Sequence, residues 1–285
     1  MEARFESGAD DFFGPFDGQR PRLTDGFKDV ASLVLEMAMV EDSLCKPDAQ
    51  HVIGVHFPTA AATQGAATAR CFVLVAPDAQ RTMQTFLGAT TQLGPEDVNM
   101  AYIEASKVLY LEGYLWDQPR AKAAMRDAAI AAQKAGVKVS LTLSDAFCVD
   151  RFRSEFVELI NHHVDILFAN EAEILSLYQV DEFDDALQQV RGHCEIAALT
   201  RSSKGSVIVN GGAIHVIDAE PGVTVVDTTG AGDAFVGALA AALAEGRPLD
   251  VATRRAIVAG ALATTKVGAR EGMATSAELE AALPG

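Results

Sequence analysis

The residues best suited to chemistry lie at positions 227–235, Asp-Thr-Thr-Gly-Ala-Gly-Asp-Ala-Phe. They follow a β-branched stretch predicted as a strand and precede an Ala- and Leu-rich stretch predicted as a helix. Gly230 and Gly232 therefore fall at a helix N-terminus, where unpaired N–H groups and the helix dipole favour anions. Because glycine has no Cβ, a phosphate can approach this backbone closely, and the sequence predicts an anion site.

A carboxylate beside that anion site indicates a particular reaction. Asp233 makes little sense in a site that only binds anions. It makes sense if a hydroxyl must be oriented and deprotonated while its oxygen attacks a phosphorus atom held by the N–H groups. The motif therefore predicts phosphoryl transfer to an alcohol, with Asp233 as the general base.

Other uses of a glycine-rich strand-to-helix turn match less well. Glycine and Asp often only cap a helix, and this interpretation would prevail for an isolated G-x-G. A dinucleotide-binding fingerprint needs Gly or Ala where this chain has Phe235, and it usually lies in a first βαβ unit rather than near the C-terminus. No G-x-x-x-x-G-K-[ST] occurs in the sequence, which excludes a P-loop.

The elements that position the motif form an alternating pattern. From residue 71 onward, apolar runs of strand length alternate with amphipathic stretches of helix length, which predicts an α/β fold with a mainly parallel sheet. Predicted strands are a hairpin at 71–76 and 82–87, then 107–111, 137–143, 164–169, 195–199, a hairpin at 206–209 and 213–217, and 223–226. Predicted helices are 118–135 stopped by Gly136, 150–161, one after 170–173, 231–244 and 249–267.

The first 54 residues show a different pattern. Gly, Pro and Asp are frequent in the opening stretch, which predicts loops and partial disorder, and only residues 29–41 have helical periodicity. The sequence thus predicts an atypical N-terminal segment, residues 1–54, and one α/β domain, residues 55–285.

Composition limits the partners. A net charge of −16 and a pI near 4.7 argue against nucleic acid or an anionic membrane, so we expect small-molecule ligands. The four cysteines show no C-x-x-C pairing, which argues against a zinc ribbon or disulfide framework and fits a reducing cytoplasm. Neither a signal peptide nor a membrane span is predicted. The sequence leaves monomer and homodimer open.

Residues 227–235 resemble the C-terminal signature of the ribokinase-like, or PfkB, family of carbohydrate and nucleoside kinases. The resemblance runs from about residue 55 to the end and implies a three-layer α/β fold with helices on both sheet faces and a small β lid, here at about 67–89. It implies ATP as phosphoryl donor and Asp233 as catalytic base. The anion hole it implies consists of Gly230, Ala231 and Gly232.

The same resemblance implies a site for magnesium and ATP. Asn170 and Glu173 resemble the family's N-x-x-E motif, which helps hold Mg²⁺ and its water shell, although this spacing alone is more often a helix cap. The loop at 200–205 resembles the one that lies over the ATP phosphates, although an ordinary polar turn would look similar. A monovalent cation is left open as a further cofactor. The implied nucleotide contacts are Asn170, Glu173, Thr200, Ser202, Lys204, Gly205, Thr228 and Gly268.

The acceptor is indicated by stretches that resemble the adenosine-kinase-like bacterial branch, at 67–89, 110–117 and 144–149. Arg81 is the candidate lid residue, with a solvated edge charge as the alternative. Family members normally begin with a strand bearing a substrate-binding Asp, then a Gly-Gly segment and an Asn, none of which is recognisable in residues 1–54. The sheet is therefore expected to be incomplete on its N-terminal side. Three hypotheses follow: an adenosine kinase, a sugar kinase of the same fold, or a truncated, catalytically impaired nucleotide-binding remnant.

Overall fold

The structure, a computed structural model, describes residues 64–76, 79 and 81–283, together with the backbone of 30–32. The strands of this part are β1 (Val30–Ser32), β2 (Arg70–Val75), β3 (Arg81–Phe86), β4 (Val108–Glu112), β5 (Lys138–Thr142), β6 (Ile166–Asn170), β7 (Ile196–Thr200), β8 (Ser206–Asn210) and β9 (Ala213–Ile217). The α-helices are α1 (Met100–Glu104), α2 (Pro119–Ala135), α3 (Ala146–His163), α4 (Glu171–Tyr178), α5 (Phe183–Val190), α6 (Ala231–Ala244), α7 (Leu249–Ala263) and α8 (Ser276–Ala282). Short 3₁₀ turns lie at Gly88–Gln92, Pro95–Asp97, Gly113–Asp117 and Ser202–Lys204.

The main sheet has the strand order β1-β4-β5-β6-β7-β8-β9, and β2 with β3 forms a separate hairpin. Strands β1 and β4 to β7 are parallel, whereas β8 pairs antiparallel with both of its neighbours, β7 and β9. Glu112 is in register with Thr142, and Asn170 with Thr200. The carboxyl ends of the parallel strands therefore meet at one edge, where ligands of open α/β sheets bind.

Two apolar layers cover the sheet, as alternating side chains in β4 show. Leu109 and Leu111 belong to the core that includes residues of α2 to α5, whereas Tyr110 belongs to the core built with α6 and α7. The strand is buried along its whole length because helices cover both faces. The predicted three-layer α/β architecture is confirmed.

Most predicted elements are confirmed within a few residues. Helix α2 ends at Gly136, whose φ of 74° gives the left-handed cap that glycine adopts without strain. Both predicted hairpins pair antiparallel. Helix α3 begins earlier than predicted because the Asp145 carboxylate accepts the N–H of Phe147 at 2.7 Å. Helix α7 ends at Ala263, before the predicted end at 267.

Two predictions about elements were wrong. Residues 223–226 are not a strand: Val225 and Val226 are exposed, and the N–H of Val226 donates to the Thr264 carbonyl at the end of α7 instead of to a neighbouring strand. The helix expected after 170–173, by contrast, is present as α4 and begins a few residues early, at Glu171.

The second concerns the N-terminal segment. Val30–Ser32, predicted as helical, forms a strand parallel to β4. The rest of the 29–41 prediction and the disorder expected for 1–54 lie outside the described residues. No helix in the part of the chain that the structure describes is long and apolar enough to cross a membrane.

Candidate active site

Asp227 holds the signature loop together. Its Oδ1 accepts the N–H of Thr229 at 2.9 Å and the Thr229 hydroxyl at 2.6 Å, and its Oδ2 accepts the N–H of Gly268 at 2.8 Å. Burial would raise the pKa of Asp227, but these hydrogen bonds, with Arg81 nearby, lower it below its usual value. Asp227 is therefore a buried carboxylate that ties Gly268 to the loop before α6.

The anion site forms where this loop enters α6. Gly230 is the N-cap with a φ of 81°, and a Cβ there would lie 2.9 Å from the Ala269 carbonyl oxygen. A Cβ on Gly232 meets no described atom within 4 Å outside its two chain neighbours and the nearby backbone of its own helix, so the space in front of it is open. The N–H of Ala231 donates to the Thr228 carbonyl at 3.3 Å. The N–H groups of Gly232 and Asp233 occupy helix positions without an intrahelical acceptor, so they are available to an anion.

Asp233 is the third residue of α6 and lies beside that open space. Desolvation by the surrounding protein raises the pKa of Asp233 above its usual value, although part of the residue is exposed. The positive charge of Arg81 opposes this rise. A raised pKa strengthens a carboxylate as a proton acceptor, which suits a general base.

Arg81 connects the hairpin to the signature loop. Its Nη1 donates to the Thr228 hydroxyl at 2.7 Å, although the two residues are 147 positions apart in the chain. Along β2, half-buried Cys71, Val73 and Val75 alternate with exposed side chains, and Val75 is paired with Arg81. The hairpin face that carries Arg81 is therefore the one turned towards the protein. The structure brings Arg81, Thr228 and Asp233 together.

Asn170 and Glu173 form a reciprocal helix cap. The Asn170 N–H donates to Glu173 Oε2 at 2.9 Å, its amide donates to Oε1 at 2.6 Å, and the Glu173 N–H donates to Asn170 Oδ1 at 2.9 Å. Burial raises the pKa of Glu173 to about 7, against the hydrogen bond from Asn170.

These contacts limit how magnesium fits. No described group of three or more His, Cys, Asp or Glu side chains could hold a metal ion. Mg²⁺ commonly keeps several waters and is bound through one or two carboxylates plus substrate phosphates. Glu173 and Asn170 suit a water-rich magnesium site of this kind. They would contact water molecules bound to the ion, and the phosphates of the nucleotide would be its direct ligands.

The loop after β7 lies beside this cap, because Thr200 is in register with Asn170. Ser202 has a φ of 52° and Gly205 a φ of 81°. A Cβ on Gly205 would lie 2.1 Å from the Ile217 carbonyl oxygen, so only glycine fits. Lys204 is 62% exposed and points its ammonium at Glu171, 3.3 Å away. Thr200, Ser202, Lys204 and Gly205 thus share one strand edge with Asn170 and Glu173.

Sequence reasoning missed Glu112, a buried carboxyl group at the end of β4. The Tyr110 hydroxyl donates to its Oε2 at 3.3 Å, and the Ser144 hydroxyl donates to Oε1. Burial, with Asp233 nearby, raises the pKa of Glu112 to about 8. The negative charge of Glu173 adds to this rise in the pKa of Glu112. The available signal was a lone glutamate ending an apolar strand.

The chain is similar in sequence and fold to several known proteins. Residues 54–276 match the family model described as pfkB family carbohydrate kinase. An adenosine kinase structure from Sinorhizobium meliloti is 42% identical with a TM-score of 0.77, and the match covers 82% of this chain and 71% of that one. A probable sugar kinase from Rhizobium etli CFN 42 is also 42% identical, with a TM-score of 0.76, covering 81% of this chain and 69% of that one.

A more distant relative is the adenosine kinase of Schizosaccharomyces pombe, 27% identical over 191 residues. That match covers 60% of this chain and 55% of the yeast protein, so the chain spans just over half the length of this relative.

Proposed function

This chain belongs to the pfkB family of carbohydrate kinases, and we propose that it transfers the γ-phosphoryl group of ATP to the hydroxymethyl group of adenosine, giving ADP and AMP. The observation that carries the proposal is the arrangement at the start of α6. Asp233 lies in the first turn beside the open space at Gly232, and Arg81 reaches the preceding loop at Thr228. A base, an anion site and a covering cation are the parts that phosphoryl transfer to an alcohol needs.

The chemical step follows from these positions. The N–H groups at the start of α6 hold the γ-phosphoryl group, and Asp233 accepts the proton of the acceptor hydroxyl. The acceptor oxygen forms a bond to phosphorus as the bond from phosphorus to the β–γ bridging oxygen breaks, and ADP leaves. Arg81 offsets negative charge at the signature loop, and the hairpin that carries it limits access of water to the site.

Magnesium and ATP would lie along the carboxyl edge of the sheet. Asn170 and Glu173 would hold the ion's water shell, and Mg²⁺ would neutralise charge on the β- and γ-phosphates. The strand-end loop and the Gly268 segment complete the nucleotide site through Thr200, Ser202, Lys204, Gly205, Thr228 and Gly268.

Glu112 gives the acceptor side of the site a second carboxyl group. A pKa of about 8 keeps Glu112 largely protonated at neutral pH, whereas the nearby Arg81 opposes the rise in the pKa of Asp233. Two carboxyl groups whose environments separate their pKa values commonly divide the roles of acid and base. Glu112 is thus suited to hydrogen-bonding an acceptor hydroxyl, while Asp233 takes the proton.

Adenosine is supported by the 42% identity to the Sinorhizobium enzyme, and a sugar acceptor by the equal identity to the Rhizobium etli protein. A coupled phosphorylation assay with ATP and Mg²⁺ separates them by comparing adenosine, other nucleosides, ribose and fructose, with Asp233→Asn as control. Turnover with adenosine that Asp233→Asn abolishes supports the proposal. Turnover with a sugar but not with adenosine indicates a sugar kinase. ATP binding without any turnover indicates a nucleotide-binding remnant.

A further inference from the structure

Glu171 connects the two halves of the proposed nucleotide site. It begins α4, between Asn170 and Glu173, and its carboxylate points to the loop after β7. Arg201 Nη2 donates to Oε1 at 2.9 Å and Arg201 Nε to Oε2 at 3.3 Å, a two-pronged pairing. Lys204 Nζ lies 3.3 and 3.5 Å from the same two oxygens. One carboxylate thus holds both cations of the loop.

Arg201 is fixed from a second side. Its guanidinium lies 3.8 Å from the centre of the Phe183 ring, and Phe183 is buried at the start of α5. The side chain is only 23% exposed, so it is packed as well as paired. Its backbone also organises the turn, because its N–H donates to the Gly205 carbonyl at 2.8 Å and its carbonyl accepts the N–H of Lys204 at 3.0 Å.

Lys204 is held differently. The Lys204 side chain is 62% exposed. Its ammonium lies 3.3 Å from Glu171, whereas the guanidinium of Arg201 lies 2.9 Å from the same carboxylate. An ammonium has three N–H donors, so Lys204 can keep its contact with Glu171 and still donate to an anion in the solvent. A mobile lysine loses conformational freedom when it binds, and a neighbouring carboxylate reduces that loss by restricting it beforehand.

Resting on the proposed function, we propose that Glu171 and Arg201 act as a clamp that positions the 201–205 loop, and with it the Lys204 ammonium, for the phosphates of ATP. Both clamp residues are positioning residues: they act through the loop and not on the reacting atoms. Lys204 is the group that contacts the nucleotide. The clamp also sets the distance between this loop and the Asn170–Glu173 cap, because Glu171 belongs to the same helix start.

Isothermal titration of MgATP into the full chain tests the clamp. We expect Glu171→Gln and Lys204→Gln each to raise the Kd for MgATP about tenfold, the change typical of losing one charge-assisted hydrogen bond. The double variant should be little weaker than either single one, because Lys204 depends on Glu171 for its position. In kinetics the KM for ATP should rise while kcat and the KM for adenosine stay within about twofold.

Glu155→Gln is the matched control, since Glu155 also holds a lysine and an arginine, Lys122 at 2.9 Å and Arg126 at 3.4 Å. It should leave the Kd for MgATP unchanged. If the wild type binds MgATP and Glu171→Gln leaves the Kd unchanged, the clamp alone is overturned. A tenfold rise in the Kd with Glu155→Gln overturns it as well. Additive losses in the double variant overturn the coupling of Lys204 to Glu171. A wild-type chain that binds no MgATP overturns the proposed function and the clamp together. Arg201→Lys keeps the positive charge but loses the two-pronged pairing with Glu171, so if Glu171→Gln unfolds the protein, an unchanged Kd for MgATP in Arg201→Lys overturns the clamp.

Discussion

Two alanine substitutions, two residues apart, should separate folding from catalysis. Gly230→Ala places a side chain at a φ of 81° and a Cβ 2.9 Å from the Ala269 carbonyl oxygen. The left-handed conformation costs about 1–2 kcal/mol, and overpacking costs about 1–3 kcal/mol more. We expect the free energy of unfolding to fall by roughly 2 to 5 kcal/mol.

Gly232→Ala should have the opposite effect on stability. Outside its chain neighbours and its own helix backbone, the new Cβ meets no described atom within 4 Å, and the residue already lies in α6. Replacing glycine by alanine in a helix gains up to about 1 kcal/mol. The new methyl group would occupy the space from which a phosphoryl group contacts the backbone. We therefore expect kcat/KM to fall roughly 10²- to 10³-fold, as after loss of one anion-hole donor, in a protein at least as stable as wild type.

Urea unfolding followed by fluorescence gives the stability of each variant, and the coupled phosphorylation assay gives kcat/KM. The contrast between the two variants is the test, because each serves as control for the other. A Gly232→Ala protein with kcat/KM within twofold of wild type would refute the location of the anion site. A Gly230→Ala protein of unchanged stability would refute the packing of the signature loop.

Three further substitutions test other parts of the site. Asp233→Asn should lower kcat by about 10²-fold or more while the Kd for MgATP measured by calorimetry stays the same, because the base is lost and the anion site is kept. Glu112→Gln should flatten the dependence of stability on pH. The pKa of Glu112 is about 8 in the folded state, against an ordinary value of 4.5. The protonated side chain therefore stabilises the wild type fully below pH 4.5, and this contribution is lost as the pH rises through 8. Urea unfolding at pH 5, 7 and 9 measures it, and parallel profiles for the two proteins would contradict the assigned environment. Glu173→Gln should raise the magnesium concentration needed for half-maximal rate; an unaltered magnesium titration would count against its role.

Sequence reasoning located the signature well because its cues are local. Glycines before an Ala-rich helix define the start of α6, and Asp233 follows from its position in that first turn. The same local reasoning was wrong at 223–226, where consecutive β-branched residues indicated a strand. Val226 instead bonds to the end of α7, a partner far along the chain.

Residues that depend on tertiary contacts were harder to assign. Arg81 and Thr228 meet only because the hairpin folds back on the signature loop. No characteristic sequence spacing predicts this contact. Glu112 acquires its environment from Ser144, beyond the end of the neighbouring strand, and from Asp233 on α6. The N-x-x-E motif shows the opposite difficulty: its spacing is easily recognised but has two interpretations. The same two residues form the observed helix cap and have the proposed magnesium role.

The central claim is that Asp233 deprotonates an acceptor hydroxyl while the start of α6 holds the transferred phosphoryl group. Its most direct test is a single-turnover experiment with γ-³²P-labelled ATP, Mg²⁺, adenosine and excess enzyme, in which labelled AMP is separated from labelled ATP. We expect label to appear in AMP at least about 10²-fold more slowly with Asp233→Asn than with the wild type, although both bind ATP. Label in AMP at equal rates with both proteins, or its absence with wild type despite bound ATP, would contradict the account.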